Sequence, residues 1–161
     1  MDSPIRRPEE ILAYRPLRQI LGARPKELWA VGPADSALAA LQIMADKDIG
    51  FLVVLDREAM VGVLSERDCA QRLVLAGKRA EATPVSELMV RDVVSVDPAQ
   101  TFADCLRLMH RHRIRHLPVV DNGKVVAVVS IRDLLGEAVA HHARIISELE
   151  RERLTIFIST A

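Results

Sequence analysis

The stretch "VVSIRDLL" at residues 128–135 repeats the pattern of "VLSERDCA" at residues 63–70. In each stretch an apolar run is followed by Ser-x-Arg-Asp and then by residues that suit a helix. A short apolar run predicts a strand, so both copies place Ser-x-Arg-Asp where a strand ends and a helix begins. A chain that builds this junction twice is expected to contain two related units.

The repeat extends well beyond these two stretches. Residues 31–68 align with residues 96–133 without a gap, and 14 of the 38 aligned positions are identical. The identical pairs include Pro33/Pro98, Leu41/Leu106, Met44/Met109, Ile49/Ile114, Leu52/Leu117, Asp56/Asp121, Ser65/Ser130, Arg67/Arg132 and Asp68/Asp133. Such agreement without gaps indicates an internal duplication.

Each unit is predicted to run strand–helix–strand–strand–helix. Ser36 and Thr101 are suitable N-caps for the first helices. Apolar residues at helical spacing follow them, namely Leu38, Leu41, Met44 and Ala45 in the first unit and Phe102, Cys105, Leu106 and Met109 in the second. The predicted strands are 28–31, 51–55 and 60–64, then 93–96, 117–120 and 125–129, and the second helices are 66–76 and 131–150. Turns are expected at 56–59 and at 121–124, where Asn-Gly is a strong hairpin signal.

These elements predict an α+β fold built from tandem βαββα repeats. The strands are too short and too apolar to stand alone, so the two repeats are expected to pack through their sheets with pseudo-two-fold symmetry. The expected boundaries are an N-terminal tail (1–16), unit one (17–76), a linker (77–90), unit two (91–140), and a C-terminal helix and tail (141–161).

Composition narrows the classes of function. Lys+Arg and Asp+Glu both number 22, so the net charge is zero and argues against nucleic acid as a general partner. No apolar run reaches the length of a membrane span, and the N-terminus lacks the apolar core of a signal peptide. The two cysteines are not in a metal-binding spacing. We therefore expect a cytoplasmic protein without a membrane segment.

Ser-x-Arg-Asp has a simple structural interpretation. Ser65 with Asp68, and Ser130 with Asp133, have the spacing of a helix-capping pair. The serine oxygen accepts from the backbone N–H three residues on, and the aspartate suits the positive end of the helix dipole. On this interpretation the motif only starts a helix.

The same residues also suit a ribose phosphate. A helix start offers N–H groups to phosphate, serine adds a hydroxyl donor, and Arg67 or Arg132 adds a fixed charge. Asp68 or Asp133 could accept hydrogen bonds from the two vicinal hydroxyls of a ribose. Gly62 and Ala127, three residues before each serine, would leave room for a flat base.

The doubled pattern "P-x-x-(S/T)…L…M…I…V-(L/V)-D…V-(G/A)-V-(L/V)-S-x-R-D" resembles the CBS domain, and two such domains in tandem resemble a Bateman module. The resemblance covers about residues 17–140. It implies a stand-alone, non-catalytic regulatory module that dimerises and binds adenosine ligands such as AMP, ADP, ATP, NAD(H) or S-adenosylmethionine in clefts between the units. The regulated partner protein is not implied.

The resemblance also assigns roles to residues. It implies that serine and arginine approach phosphate and that aspartate holds the ribose, at Ser65, Arg67, Asp68 and at Ser130, Arg132, Asp133. It implies a base pocket made largely of main chain at Ile49, Gly50, Phe51, Leu52 and at Arg115, His116, Leu117, Pro118. Family members often have Met-Thr before the second unit, whereas this chain has Met89-Val90 and so lacks one hydroxyl donor.

Three other functional interpretations remain open at this point. The strip "RLMHRHRIRH" (107–116) could contact nucleic acid, although cations at a helix end also suit the dipole. Five histidines (His110, His112, His116, His141, His142) lack the spacing of a metal site, so no metal is expected. Cys69 follows a helix start, where a thiol pKa can fall and redox chemistry becomes possible. The favoured function is an adenine-nucleotide sensor that needs no cofactor, and the alternative is a ligand-free interaction module.

Overall fold

The computed structural model describes residues 15–22 and 27–159 of the chain. These residues form two compact units, one comprising 15–22, 98–117 and 129–159 and the other comprising 27–97 and 118–128. Of the tail predicted over 1–16, the part before Arg15 lies outside the described residues.

Helices and strands alternate in the order that the duplication predicts, which confirms the α+β class. The helices and strands of the described residues are α1 (Leu17–Leu21), β1 (Ala30–Val31), α2 (Ala37–Lys47), β2 (Phe51–Asp56), β3 (Ala59–Ser65), α3 (Glu66–Cys69), α4 (Phe102–His112), β4 (His116–Asp121), β5 (Lys124–Ser130) and α5 (Ile131–Ser159). A π-helical turn spans Ala70–Val74 and a 3-10 turn spans Val85–Glu87.

The first repeat forms a three-stranded sheet in the order β1-β2-β3. Strand β1 is parallel to β2, with Ala30 opposite Val53, and β2 is antiparallel to β3, with Phe51 opposite Ser65. The turn between β2 and β3 is tight and places Arg57 at φ +58°. The register brings the start of β2 beside the end of β3, where Ser-x-Arg-Asp begins.

Helix α2 packs on this sheet through small residues. Its buried positions are Ala37, Ala40 and Met44. The predicted face was wrong in part, because Leu38 and Leu41 are only half-buried and Ala45 is exposed. Alanines at positions 37 and 40 let the helix axis lie close to the sheet, which turns the bulkier leucines to the edge of the contact. The core includes Val31, Leu52, Val54, Leu64, Leu73, Val85, Leu88 and Met89.

The helix after Ser65 is not a regular α-helix. Four α-helical residues, Glu66–Cys69, are followed by the π-helical turn Ala70–Val74. Cys69 and Leu73 are buried, whereas Val74 and Leu75 are largely exposed. The sequence predicted one continuous helix over 66–76, so the wider turn is a difference that local propensity did not indicate.

The second repeat forms a two-stranded sheet from β4 and β5. Asn122 and Gly123 both have positive φ at its turn, as the Asn-Gly signal predicts. The strand predicted over 93–96 is reduced to a single bridge between Val96 and Val119. Val96 donates to the carbonyl of Pro118 at 3.0 Å and accepts from Val120 at 2.8 Å.

Helix α5 continues without interruption from Ile131 to Ser159. The predicted C-terminal helix is thus a continuation of the second repeat's helix. Near its start Glu137 accepts hydrogen bonds from the guanidinium groups of Arg15 and Arg144. Burial opposes the ionisation of Glu137, but these bonds outweigh it and lower the pKa of the carboxyl group. The segment leading into α1 is thereby fastened to α5.

Candidate functional site

Ser65 and Asp68 close a complete capping box at the start of α3. The Ser65 backbone N–H donates to Asp68 Oδ2 at 2.9 Å, and the Ser65 hydroxyl donates to the same oxygen at 2.5 Å. The Asp68 N–H donates back to Ser65 Oγ at 3.2 Å. Both bonds to the carboxylate fall on Oδ2, so Oδ1 is the oxygen of Asp68 that can meet another group.

Ser130 and Asp133 form the same arrangement at the start of α5. The Ser130 backbone N–H and hydroxyl donate to Asp133 Oδ2 at 2.8 Å and 2.7 Å. The Asp133 N–H donates to Ser130 Oγ at 3.2 Å. The capping interpretation of Ser-x-Arg-Asp is therefore correct as a description of both helix starts, whatever else the residues do.

A third box shows that this geometry is not specific to the repeated motif. Thr101 and Asp104 at the start of α4 make the same three bonds, at 2.9, 2.7 and 3.2 Å. Asp104 also accepts from Arg107, and the bonds from Thr101 are the main cause of its lowered pKa. Thr101–Asp104 is a natural reference for a box that only caps a helix.

Each Ser-x-Arg-Asp box lies against the segment that enters the second strand of its own repeat. The Glu66 N–H donates to the Gly50 carbonyl at 3.1 Å, and the Ile131 N–H donates to the Arg115 carbonyl at 2.8 Å. The structure therefore brings together the two groups of residues that the sequence analysis assigned to one site in each repeat.

The side chains of the strand entries differ in exposure. Leu52, Leu117 and Pro118 are buried, so these positions can offer a ligand little more than main chain. Ile49, Gly50, Phe51 and His116 are half-buried and lie at the edge of the site. Burial and the nearby Arg115 and Arg132 lower the pKa of His116, against an opposing effect of Asp133.

The two motif arginines are exposed. Neither Arg67 nor Arg132 takes part in an ion pair among the described residues. A guanidinium without a carboxylate partner keeps its donors available for an anion from solution. In the basic strip, by contrast, Arg107 is paired with Asp104.

Gly62 does not leave room for a base. A Cβ at this position would lie 2.8 Å from Met89 Sδ and 2.9 Å from the Val90 carbonyl oxygen. Val63 and Val90 exchange backbone hydrogen bonds of 3.0 and 2.8 Å beside it. The glycine is thus required by the close approach of the linker, which corrects the interpretation drawn from its small size.

Arg72 was not singled out from the sequence, yet it holds the same linker. Its Nη1 atom donates to the carbonyls of Leu88 and Met89 at 2.9 and 3.0 Å. The motif helix and the segment that carries Met89-Val90 are therefore connected directly. A single arginine among many gives no sequence signal for such a contact.

The cysteines do not support redox chemistry. Cys69 is buried, and burial, followed by the charges of Asp68 and Glu66, raises its pKa, contrary to the expectation of a lowered value. Burial likewise raises the pKa of Cys105 to about 11. Among the described residues no three potential ligands from His, Cys, Asp and Glu lie together as a metal site would require.

Both repeats match a known domain. Residues 24–75 and 85–140 fit the family model of the CBS domain. The chain belongs to the CBS-domain family. Each matched range holds one Ser-x-Arg-Asp box together with its strand entry, so the duplication is a tandem pair of CBS domains.

Curated and solved relatives agree with this assignment. CBS domain-containing protein YhcV of Bacillus subtilis is 35% identical over 104 residues, which cover 65% of this chain and 74% of YhcV. The mitochondrial CBS domain-containing protein CBSX3 of Arabidopsis thaliana is 30% identical over 122 residues, covering 73% of this chain but only 58% of CBSX3. A Burkholderia ambifaria protein with CBS domains, to which signal transduction is ascribed, has a TM-score of 0.75 and 38% identity, covering 78% of this chain and 95% of its own. The CBS-domain family comprises regulatory and signal-transduction modules.

No helix within the described ranges has the length and apolar character that crossing a membrane requires.

Proposed function

We propose that this CBS-domain pair is a non-catalytic sensor that binds an adenosine nucleotide, AMP, ADP, ATP or NAD(H), through its two Ser-x-Arg-Asp boxes. The observation that carries this proposal is the joining of each box to the strand entry of its own repeat, by the Glu66–Gly50 and Ile131–Arg115 hydrogen bonds. Each repeat would thereby offer three things side by side: a carboxylate that accepts hydrogen bonds from ribose hydroxyls, a cation that donates hydrogen bonds to phosphate, and a main-chain edge for a base.

The aspartates would hold the ribose. In both boxes the bonds to the serine fall on Oδ2. Vicinal hydroxyls can donate to a carboxylate without breaking such a cap, because each carboxylate oxygen carries two lone pairs. Arg67 and Arg132 would contact phosphate as fixed cations. Ser65 and Ser130 donate their single hydroxyl proton to the aspartate in each cap, so either serine would have to give up that bond to donate to phosphate.

The boxes support binding rather than catalysis. The serine hydroxyl donates to a carboxylate oxygen that also accepts the serine's own backbone N–H. The serine hydroxyl is thereby held as part of the cap of its own helix, an arrangement that suits holding a ligand. Adenine nucleotides and two unpaired buried thiols, Cys69 and Cys105, both fit a cytoplasmic site of action.

Helix α5 supports a homodimer, through which a ligand signal could reach a partner protein. Leu135, Val139, Ile146 and Leu149 are 54–70% exposed. They follow the alternating three- and four-residue spacing of a helix-pairing seam, in which His142 occupies the remaining position. A second copy of α5 would present the same seam and cover these residues.

The alternative function is a ligand-free interaction module in which Ser-x-Arg-Asp only caps helices. The Thr101–Asp104 box favours it, since the same geometry occurs there without a motif arginine two residues after the threonine. Loss of a cap costs about 0.5–2 kcal/mol whether or not a ligand binds. Stability alone therefore does not separate the two functions.

Thermal unfolding with a ligand panel does separate them. The purified protein would be melted with AMP, ADP, ATP, NAD, NADH and S-adenosylmethionine, because a ligand at one hundred times its Kd stabilises by about 2.7 kcal/mol per site. The sensor predicts a rise in Tm of several degrees with at least one nucleotide. Asp68→Ala with Asp133→Ala should abolish that rise, and Asp104→Ala, which removes an equivalent cap, should lower the basal Tm but keep the rise. Absence of any rise in the wild-type protein would favour the ligand-free module.

A further inference from the structure

The two Ser-x-Arg-Asp boxes have matching backbones. The entry segment bonds to the helix start in both repeats, through Gly50 and Glu66 in the first and through Arg115 and Ile131 in the second. The helices before these segments end alike, with Asp48 at φ +51° and its counterpart Arg113 at φ +54°. Differences between the two sites therefore reside in their side chains.

Those side chains give the two repeats different net charge at the matched positions. Asp48 and Glu66 stand in the first repeat where Arg113 and Ile131 stand in the second, and Gly50 stands where the second repeat has Arg115. Counted over these matched positions with the shared arginine and aspartate, the first repeat has three carboxylates and one guanidinium. The second repeat has three guanidinium groups and one carboxylate.

The position of Glu66 makes the first site unfavourable for phosphate. A Cβ at Gly50 would lie 2.8 Å from Glu66 Oε2, so this carboxylate lies directly over the entry segment. A polyphosphate chain brought there would meet a like charge, which disfavours binding.

The second site concentrates positive charge instead. The 2.8 Å hydrogen bond from the Ile131 N–H to the Arg115 carbonyl places Arg115 beside the helix start that carries Arg132, and both guanidinium charges act on the half-buried His116. Both side chains are exposed, and neither is in an ion pair within the part of the chain that the structure describes. Two exposed guanidinium groups on neighbouring segments suit several phosphate oxygens at once.

We infer that the two repeats have different ligand specificities: the Ser130–Asp133 site selects a nucleotide with two or more phosphates, through Arg115 and Arg132, and the Ser65–Asp68 site does not. This inference rests on the proposed function, since it assigns ligand classes to the same two sites. One nucleoside polyphosphate is then expected per chain, in the second repeat.

Calorimetry with two probes tests the inference. Adenosine carries the base and ribose alone, and ATP adds three phosphates. Arg132→Ala should weaken ATP binding about tenfold at low salt, the loss expected for one charge-assisted contact. Arg111→Ala, outside the sites, should change ATP affinity by less than about twofold, and Arg67→Ala should weaken ATP binding less than Arg132→Ala does. None of the three variants should change adenosine binding.

Introducing residues of the second repeat at the matching positions of the first repeat gives a second, gain-of-function test. Gly50→Arg with Glu66→Ile places the residues of the second repeat in the first and should raise the stoichiometry of tight ATP binding from one to two. Unchanged stoichiometry, or equal ATP losses in Arg67→Ala and Arg132→Ala, would overturn the inference while adenosine binding still supports the sensor. If neither adenosine nor ATP binds the wild-type protein, the proposed function fails and the inference fails with it.

Discussion

The guanidinium of Arg72 donates to the main-chain carbonyl of Leu88 across 2.9 Å, and so ties the helix that begins at the first Ser-x-Arg-Asp box to the linker between the repeats. A second bond from the same Nη1 atom reaches Met89 at 3.0 Å. The linker is therefore held by a side chain that lies one turn beyond Asp68. Any movement of this helix on ligand binding would therefore displace the linker as well.

Arg72→Met should lower the free energy of unfolding by about 1–2 kcal/mol, because two main-chain carbonyls lose a charged donor. Lys78→Met is the matched control. Lys78 lies within the linker and makes a 2.7 Å ion pair with Glu87, but that pair is exposed and should contribute less than about 0.5 kcal/mol. Urea unfolding measures both variants, and equal losses would show that the Arg72 bonds do not matter.

Replacing each of two glycines by alanine should change the free energy of unfolding in opposite directions. Gly62→Ala places a methyl group against Met89 Sδ and the Val90 carbonyl, and should destabilise by about 1–3 kcal/mol. Gly136→Ala adds a methyl group that meets no atom within 4 Å inside helix α5, and should stabilise by about 0.5–1 kcal/mol. Denaturant titration of the pair tests whether the linker contact explains Gly62. A neutral Gly62→Ala would contradict it.

His116 should make stability depend on pH. Its pKa lies below the ordinary value of 6.5, mainly through burial and then through Arg115, so the unfolded chain binds its proton more readily. The contribution of neutral His116 to the free energy of unfolding is complete above pH 6.5 and is lost as the pH falls from 6.5 toward the lowered pKa.

Unfolding free energies measured between about pH 8 and pH 5 test this expectation. His116→Gln should flatten the profile in that window. An unaltered slope in His116→Gln would mean that another group is responsible.

The seam on α5 predicts the oligomeric state. Val139→Glu with Ile146→Glu should convert a dimer into a monomer, because two charges on each helix would face each other in a contact otherwise made by apolar side chains. Ser147→Glu, on an exposed position beside the seam, is the control. Sedimentation equilibrium distinguishes the masses. A dimer that survives the double change would have to use another surface.

Local signals predicted the local structure well. The Ser-x-x-Asp spacing predicted both capping boxes because all of their bonds lie within four residues. Asn122-Gly123 predicted the β4–β5 turn because few other residues tolerate positive φ there. The ungapped duplication gave the order of the elements, and hence the family.

Features that depend on distant contacts were not predictable in the same way. Leucine and alanine are both apolar, so periodicity could not show that Ala37 and Ala40, rather than Leu41, would form the buried face of α2. The role of Gly62 depends on Met89, which lies 27 positions later in the chain. The raised pKa of Cys69 depends on burial, which outweighs its place at a helix start.

The central claim, that Asp68 and Asp133 hold a ribose, is tested most directly by comparing an adenine nucleotide with its 2′-deoxy analogue. Calorimetry would measure both affinities for the wild-type protein, for the Asp68→Ala/Asp133→Ala double variant and for Asp104→Ala. The wild-type protein and Asp104→Ala should prefer the ribose form by about tenfold, the difference expected for a hydrogen bond to a charged acceptor, and the double variant should lose this preference. Equal affinity of the wild-type protein for the two forms would contradict the assignment of the aspartates to the ribose.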